Sequence, residues 1–239
     1  MRRTVHRALN VAVAFMFCWS ADAQSQTEPS ERQGASSASV VELFKALPDA
    51  AVHTRVRNRT AVLSASDDAQ KALQTGQPFW TRHDAQAGSL LVTSIGDGAG
   101  WREHFKAFTL PTGESILLVV STDWGMCGDQ STVTVWQLGV EGLVEVTTER
   151  WAAPTWTMFN GGRTTSEQHK RLPAYAVVFG EGDDITISLD PCQFEYPGPR
   201  GPLTFEPALA VESLFRGRLS VTWADGRFTM TPASLPASE

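Results

Sequence analysis

The spacing of apolar residues changes once along the chain, near Leu90. Before that point it is helical. Val40, Leu43, Phe44 and Leu47 fall on one face of a helix that Pro48 ends. Ser39 and Glu42 bracket its first turn as a capping box, each side chain meeting a free backbone donor. Residues 55–65 and 66–74 carry further helical turns, with Asp67 and Asp68 suited by charge to a helix start. Gly76 and Pro78 close the helical region.

From Leu90 onward the period is two. Residues 89–95 and 101–110 predict strands, separated by Gly96-Asp97-Gly98 and ended by the turn Pro111-Thr112-Gly113. Residues 116–120 are continuously apolar, the pattern of a strand buried on both faces. At 132–138, Val133 and Val135 alternate with Thr132 and Thr134, and a further strand over 143–148 follows a glycine-containing turn. Short turns between strands predict antiparallel neighbours in a meander. Residues 151–173 interrupt the rhythm, and a long ordered connection is often functional or mobile. Strands resume at 174–179 and 185–189. The five prolines of 191–207 demand loop or edge. Leu219, Val221 and Trp223, the turn Asp225-Gly226, and then Phe228 and Met230 predict a β-hairpin.

The sum is an α+β, β-dominated fold. N-terminal helices precede about eight mostly antiparallel strands in a twisted meander. The strand clusters before and after 151–173 can form two sheets of a single globular α+β domain over residues 39–235.

The N-terminus reads differently. Arg2, Arg3 and Arg7 precede a short apolar run, and Ala21-Asp22-Ala23 is a small-x-small cleavage signal. The run is about twelve residues where a spanning helix needs about 20. Residues 1–23 therefore read as a signal peptide, the protein as periplasmic or secreted, and polar residues 24–38 as a disordered tether. Cleavage takes three arginines and one aspartate from the chain's 20 basic and 26 acidic residues, leaving a net charge of −8. Such an acidic chain is a poor partner for nucleic acid, and no segment after the signal is apolar enough to span a membrane.

Export changes the reading of the cysteines. Only Cys127 and Cys192 remain, and two cysteines in an oxidising compartment usually pair. A disulfide would close a long loop and stabilise the fold by about 4 kcal/mol on the chain-entropy account. The alternatives are two free thiols or a catalytic cysteine, but neither cysteine has a histidine near it in sequence.

Candidate chemistry is sparse. His53, His83, His104 and His169 are too far apart for a helical metal site, no Gly-x-Ser-x-Gly elbow occurs, and no cofactor is implied. Residues 96–100 are glycine-rich but lack the lysine of a phosphate loop. The stretch 123–129 holds Asp123, Trp124 and Asp129 beside Cys127. It reads as a tight loop pinned by a disulfide, or as a small acidic site. Trp151, Trp156 and Phe159 sit outside clear alternation. They either cover an end of the sheet or line a groove for a peptide or glycan.

A resemblance follows from several short motifs. Leu43-Phe44 with Leu47-Pro48-Asp49, the strands at 90–92 and 116–120, and Cys127-Gly128 followed by Ser131, Val133, Val135 and Trp136 resemble an uncharacterised family of exported bacterial proteins, a domain of unknown function. The likeness covers about residues 40–150 and stops before Pro173. It implies the same compartment, an N-terminal helix and a meander with a Cys-Gly turn, and it carries no activity. The resulting expectation is a non-enzymatic exported module that binds a protein, peptide or glycan, or has an accessory role at the envelope. The alternative is a small hydrolase or metal-assisted enzyme using Asp123 and Asp129 with Glu103 or His104.

Intact-mass analysis of the exported protein checks the compartment logic. A chain beginning at Gln24 and two hydrogens lighter than its reduced form is expected. A full-length chain, or two free thiols, contradicts it.

Overall fold

Strand β4 (Ser115–Gly125) contains the continuous apolar run, and such a run needs cover on both faces. The computed structural model describes residues 37–96, 99–125, 128–159, 175–180, 182, 184–189 and 218–232. In it Leu117 and Val119 point to one side of β4 and Ile116, Leu118 and Val120 to the other, all at most 2% exposed. The strand lies inside a six-stranded antiparallel sheet of order β1-β2-β3-β4-β5-β6. The other strands of this sheet are β1 (Phe79–Asp84), β2 (Ser89–Ser94), β3 (Gly100–Thr109), β5 (Gly128–Gly139) and β6 (Gly142–Glu145), of which β3 and β5 pair directly with β4.

One face of this sheet carries the helices. α1 (Val40–Ala46) starts at Ser39 with both capping-box hydrogen bonds formed and ends before Pro48. α2 (Arg59–Leu63) is capped by Asn58 and α3 (Ala69–Gln74) by Asp68. Val40, Leu43, Phe44, Val56 and Val62 meet Leu90, Val92, Phe105, Leu117 and Val119 in one continuous core.

The other face carries a second antiparallel sheet of order β10-β9-β8-β7. Its strands are β7 (Tyr175–Phe179), β8 (Ile185–Leu189), β9 (Arg218–Ala224) and β10 (Arg227–Pro232). Val177, Ile187, Leu219 and Val221 pack on Ile116, Leu118, Val120, Val133 and Val135. The layers are therefore helices, sheet, sheet, in the expected β-dominated α+β class. The β9–β10 turn places Asp225 at φ 51° and Gly226 at φ 75°, as the two central residues of a type I′ turn require.

Several details differ from the sequence pattern. The described residues contain ten strands. β1 was hidden behind Pro78 because its inward side holds only Phe79 and Thr81, while Arg82, His83 and Asp84 are exposed. β6 ends at Glu145, and residues 147–150 form a helical turn, α4 (Thr147–Arg150). The hydroxyl of Thr147 accepts from the Val135 N–H at 3.0 Å, taking the place of the next ladder carbonyl. Ala38, at the end of the segment read as a tether, is tied to the sheet: its N–H donates to Ser115 Oγ at 2.9 Å. Residues 1–23 and 24–36, read from sequence as signal peptide and tether, the proline-rich 191–207 segment, Cys127 and Cys192 lie outside the described residues.

Truncation on either face of β4 checks this layering. Leu117→Ala and Leu118→Ala are each expected to lower unfolding stability by about 2–5 kcal/mol. The exposed Val144→Ala control should stay within about 0.5 kcal/mol. Denaturant midpoints measure all three, and a near-neutral Leu117 or Leu118 variant contradicts burial on both sides.

Candidate functional site

Strand alternation decides which side chains can meet. Trp101, Glu103 and Phe105 of β3 face the helices, while Arg102, His104, Lys106 and Phe108 face the second sheet. The second sheet packs through β7 on β5 and β4. Its cover reaches Phe108 but leaves the polar stretch of β3 beside an open cleft. The cleft holds about 500 Å³ between β1–β4 and the β7–β8 hairpin. A wider concavity of about 780 Å³ near residues 37–41 has no Asp, Glu, Lys or Arg in its lining among the described residues.

The cleft floor consists of three rows across the sheet. The middle row runs Arg82, Leu91, His104, Val120, with Arg102 and Thr122 in the row on one side and Asp84, Ser89 and Lys106 in the row on the other. Arg102 Nη2 donates to Asp129 Oδ2 at 2.6 Å. Thr122 and Ser131 share a buried hydroxyl contact of 2.8 Å, and Ser131 Oγ accepts from the Val177 N–H at 2.9 Å. The last of these bonds ties the two sheets together at the inner end of the cleft. At the outer end the Lys106 ammonium donates to the Gly182 carbonyl, and the His104 ring lies on Phe179 with centroids 3.7 Å apart. Burial, then the charges of Lys106 and Arg102, push the His104 pKa down to about 3. Its imidazole is neutral at neutral pH.

A second polar cluster lies under the helices. Glu103 is 1% exposed, and its Oε1 accepts from the His53 N–H at 2.5 Å and the Ser121 hydroxyl at 3.1 Å. Burial pushes its carboxyl up, while those two hydrogen bonds and Arg59 oppose the rise. Glu103 Oε2 has no hydrogen-bond partner among the described residues. The His53 ring stacks on Trp101 at 4.7 Å. Glu103 lines neither concavity.

The residues singled out by sequence do not converge. Asp123 pairs with Gln130 and Trp124 with Asp129, so Asp123 and Asp129 project from opposite faces. Asp123 shares its face with Glu103, and Asp129 shares its face with His104. The acidic-pair chemistry thus lacks one common space. Trp124 packs its indole over Gly100, where an added Cβ would stand 2.5 Å from the ring. Trp151 and Phe159 are corrections to a groove reading. Both are buried in the inter-sheet core, and Trp151 meets Phe228 at 5.5 Å. They cover the β9–β10 hairpin, which Arg150 also holds by donating to the Gly226 carbonyl at 2.8 Å. The Trp156 side chain, Cys127 and Cys192 lie outside the described residues. Among the described residues, no group of three His, Cys, Asp or Glu is placed to hold a metal ion.

Arg82, Arg102 and Lys106 were not singled out from sequence. Their signal was the alternation Arg102-x-His104-x-Lys106-x-Phe108, which reads as a solvent face until the last residue shows that a second layer covers its end.

No family model matches the chain, and no curated protein matches it. One similar solved structure is a domain of an uncharacterized protein from Porphyromonas gingivalis. It is 15% identical, with a TM-score of 0.45 over 80% of this chain and 97% of that one. A likeness this distant carries no argument about function.

The neutral His104 has a measurable consequence. Its folded pKa lies below the unfolded value, so acidification protonates the unfolded chain first. Stability should fall as pH drops from about 6.5 toward 3, by up to about 1.4 kcal/mol per unit. Glu103 acts in the opposite sense, because its raised carboxyl favours the folded state at low pH. The difference between wild type and His104→Phe isolates the histidine. Parallel pH profiles for the two in chemical denaturation contradict a buried neutral imidazole.

Proposed function

We propose that this is an exported binding module that takes its ligand in the cleft between β1–β4 and the β7–β8 hairpin. The observation that carries the reading is the cleft itself. A partly buried, positively charged floor opens beside an apolar wall, in a volume suited to a small ligand or a short peptide end. The signal-like residues 1–23 support a periplasmic or secreted location and, with it, a Cys127–Cys192 disulfide. The Cys-Gly meander motifs fit the same uncharacterised exported family. An accessory role at the envelope is consistent with a domain whose candidate acids Asp123 and Asp129 point away from each other. The absence of a shared acidic space also weighs against the alternative, a hydrolase built on the 123–129 stretch.

Backbone amide spectra of the mature protein, titrated with a panel of small acids, bases, sugars and short peptides, test the binding reading. Saturable shifts at Leu91, Thr122 and Phe179 are expected for at least one class. Saturable shifts confined to other surfaces contradict the cleft, and turnover of a hydrolase substrate panel contradicts the non-enzymatic role.

A further inference from the structure

We propose that the cleft is a site for a small organic anion, whose carboxylate or phosphate group meets Arg82 and Arg102 while its apolar body lies against Leu91, Val178 and Phe179. The inference rests on the cleft being the binding site and adds the chemistry of its occupant. Three observations carry it.

The first is the placement of the cations. Arg82 on β1 and Arg102 on β3 line the same cleft, one residue row apart, with Leu91 between them in the sheet. Arg102 is held in place by its bond to Asp129, which uses one of its five N–H donors. Its side chain is 33% exposed. Arg82 is exposed, and its guanidinium lies 5.8 Å over the Trp80 ring. Arg82 makes no ion pair among the described residues. Planar guanidinium forks of this kind suit carboxylate and phosphate oxygens.

The second observation is the sign of the local field. Among the described residues, Asp84, Asp129 and Asp184 line or border the cleft beside Arg82, Arg102 and Lys106. Both charge contributions that hold His104 neutral come from cations, Lys106 and Arg102. At His104 the charges of Arg102 and Lys106 thus disfavour an added positive charge, although the chain as a whole is acidic.

The third observation is the wall. Val177 directs its N–H away from β8, to Ser131 Oγ, so by strand alternation the N–H and C=O of Phe179 also point away from β8. The β7 edge thus offers backbone polar groups beside the half-exposed faces of Phe179 and Val178. An anion with a flat apolar body satisfies the guanidinium groups and covers this wall together. A bare inorganic anion satisfies only the former.

The test titrates the mature protein with benzoate, benzamide, benzamidine and inorganic phosphate, following the amides of Leu91 and Phe179 and the Arg102 Nε–H. Benzoate is expected to bind saturably and to be weakened about tenfold or more by Arg82→Glu, a change at an exposed strand position. Asp129→Asn should tighten it, because the amide oxygen still receives Arg102 while one negative charge is gone. Sodium chloride at about 0.5 M should weaken it. Phosphate binding at the same amides, weakened in the same way by Arg82→Glu, supports the anion assignment and identifies phosphate as the headgroup. Benzamide or benzamidine binding there as tightly as benzoate overturns the anion assignment and leaves the cleft as the ligand site. No saturable shift at these amides with any probe overturns both.

Discussion

The two-sided burial of β4 is the constraint on which the rest of the structure depends. Alternate residues of one apolar run must enter two different cores, so the central sheet needs a layer on each face. The helices supply one layer and the second sheet the other. Their extents differ. The helical layer reaches across β2 and β3 to Leu90, Val92, Trp101 and Phe105, whereas the second sheet packs on β4 and β5. The mismatch leaves one face of β1–β3 partly uncovered; Arg82 and Arg102 stand in that stretch, while His104 lies against Phe179 and the buried Lys106 reaches the Gly182 carbonyl.

The same alternation that builds the cores sorts the polar residues. Glu103 and His104 are neighbours in sequence, yet one is sealed under the helices and the other lines the cleft. Their environments shift both groups toward the neutral form, because burial penalises charge whichever sign it has. The difference lies in the partners. Glu103 receives hydrogen bonds that fix the loop at His53, while His104 lies on Phe179 and helps seat the hairpin that forms the cleft wall.

Much of the fold was legible in the sequence where a local rule had a single solution. The capping box of Ser39 and Glu42, the run at 116–120 and the Asp225-Gly226 turn each specified one structure. β1 was not legible, because a strand over an open cleft carries polar residues on that side and offers only Phe79 and Thr81 to the core. The candidate site was hardly legible at all. Its cations lie on different strands, and only the register that sets Arg82 opposite Leu91 and Leu91 opposite His104 brings them together. The prominent aromatics Trp151 and Phe159 drew attention for lying outside the alternation, and they do so because they close the end of a core.

A crystal structure of the protein grown with 4-iodobenzoate tests the central claim most directly. Anomalous scattering locates the iodine without assumptions about the rest of the ligand. The account predicts a site with the carboxylate between Arg82 and Arg102 and the ring against Phe179. Iodine found only on outer surfaces, with the cleft free of the compound, would contradict it.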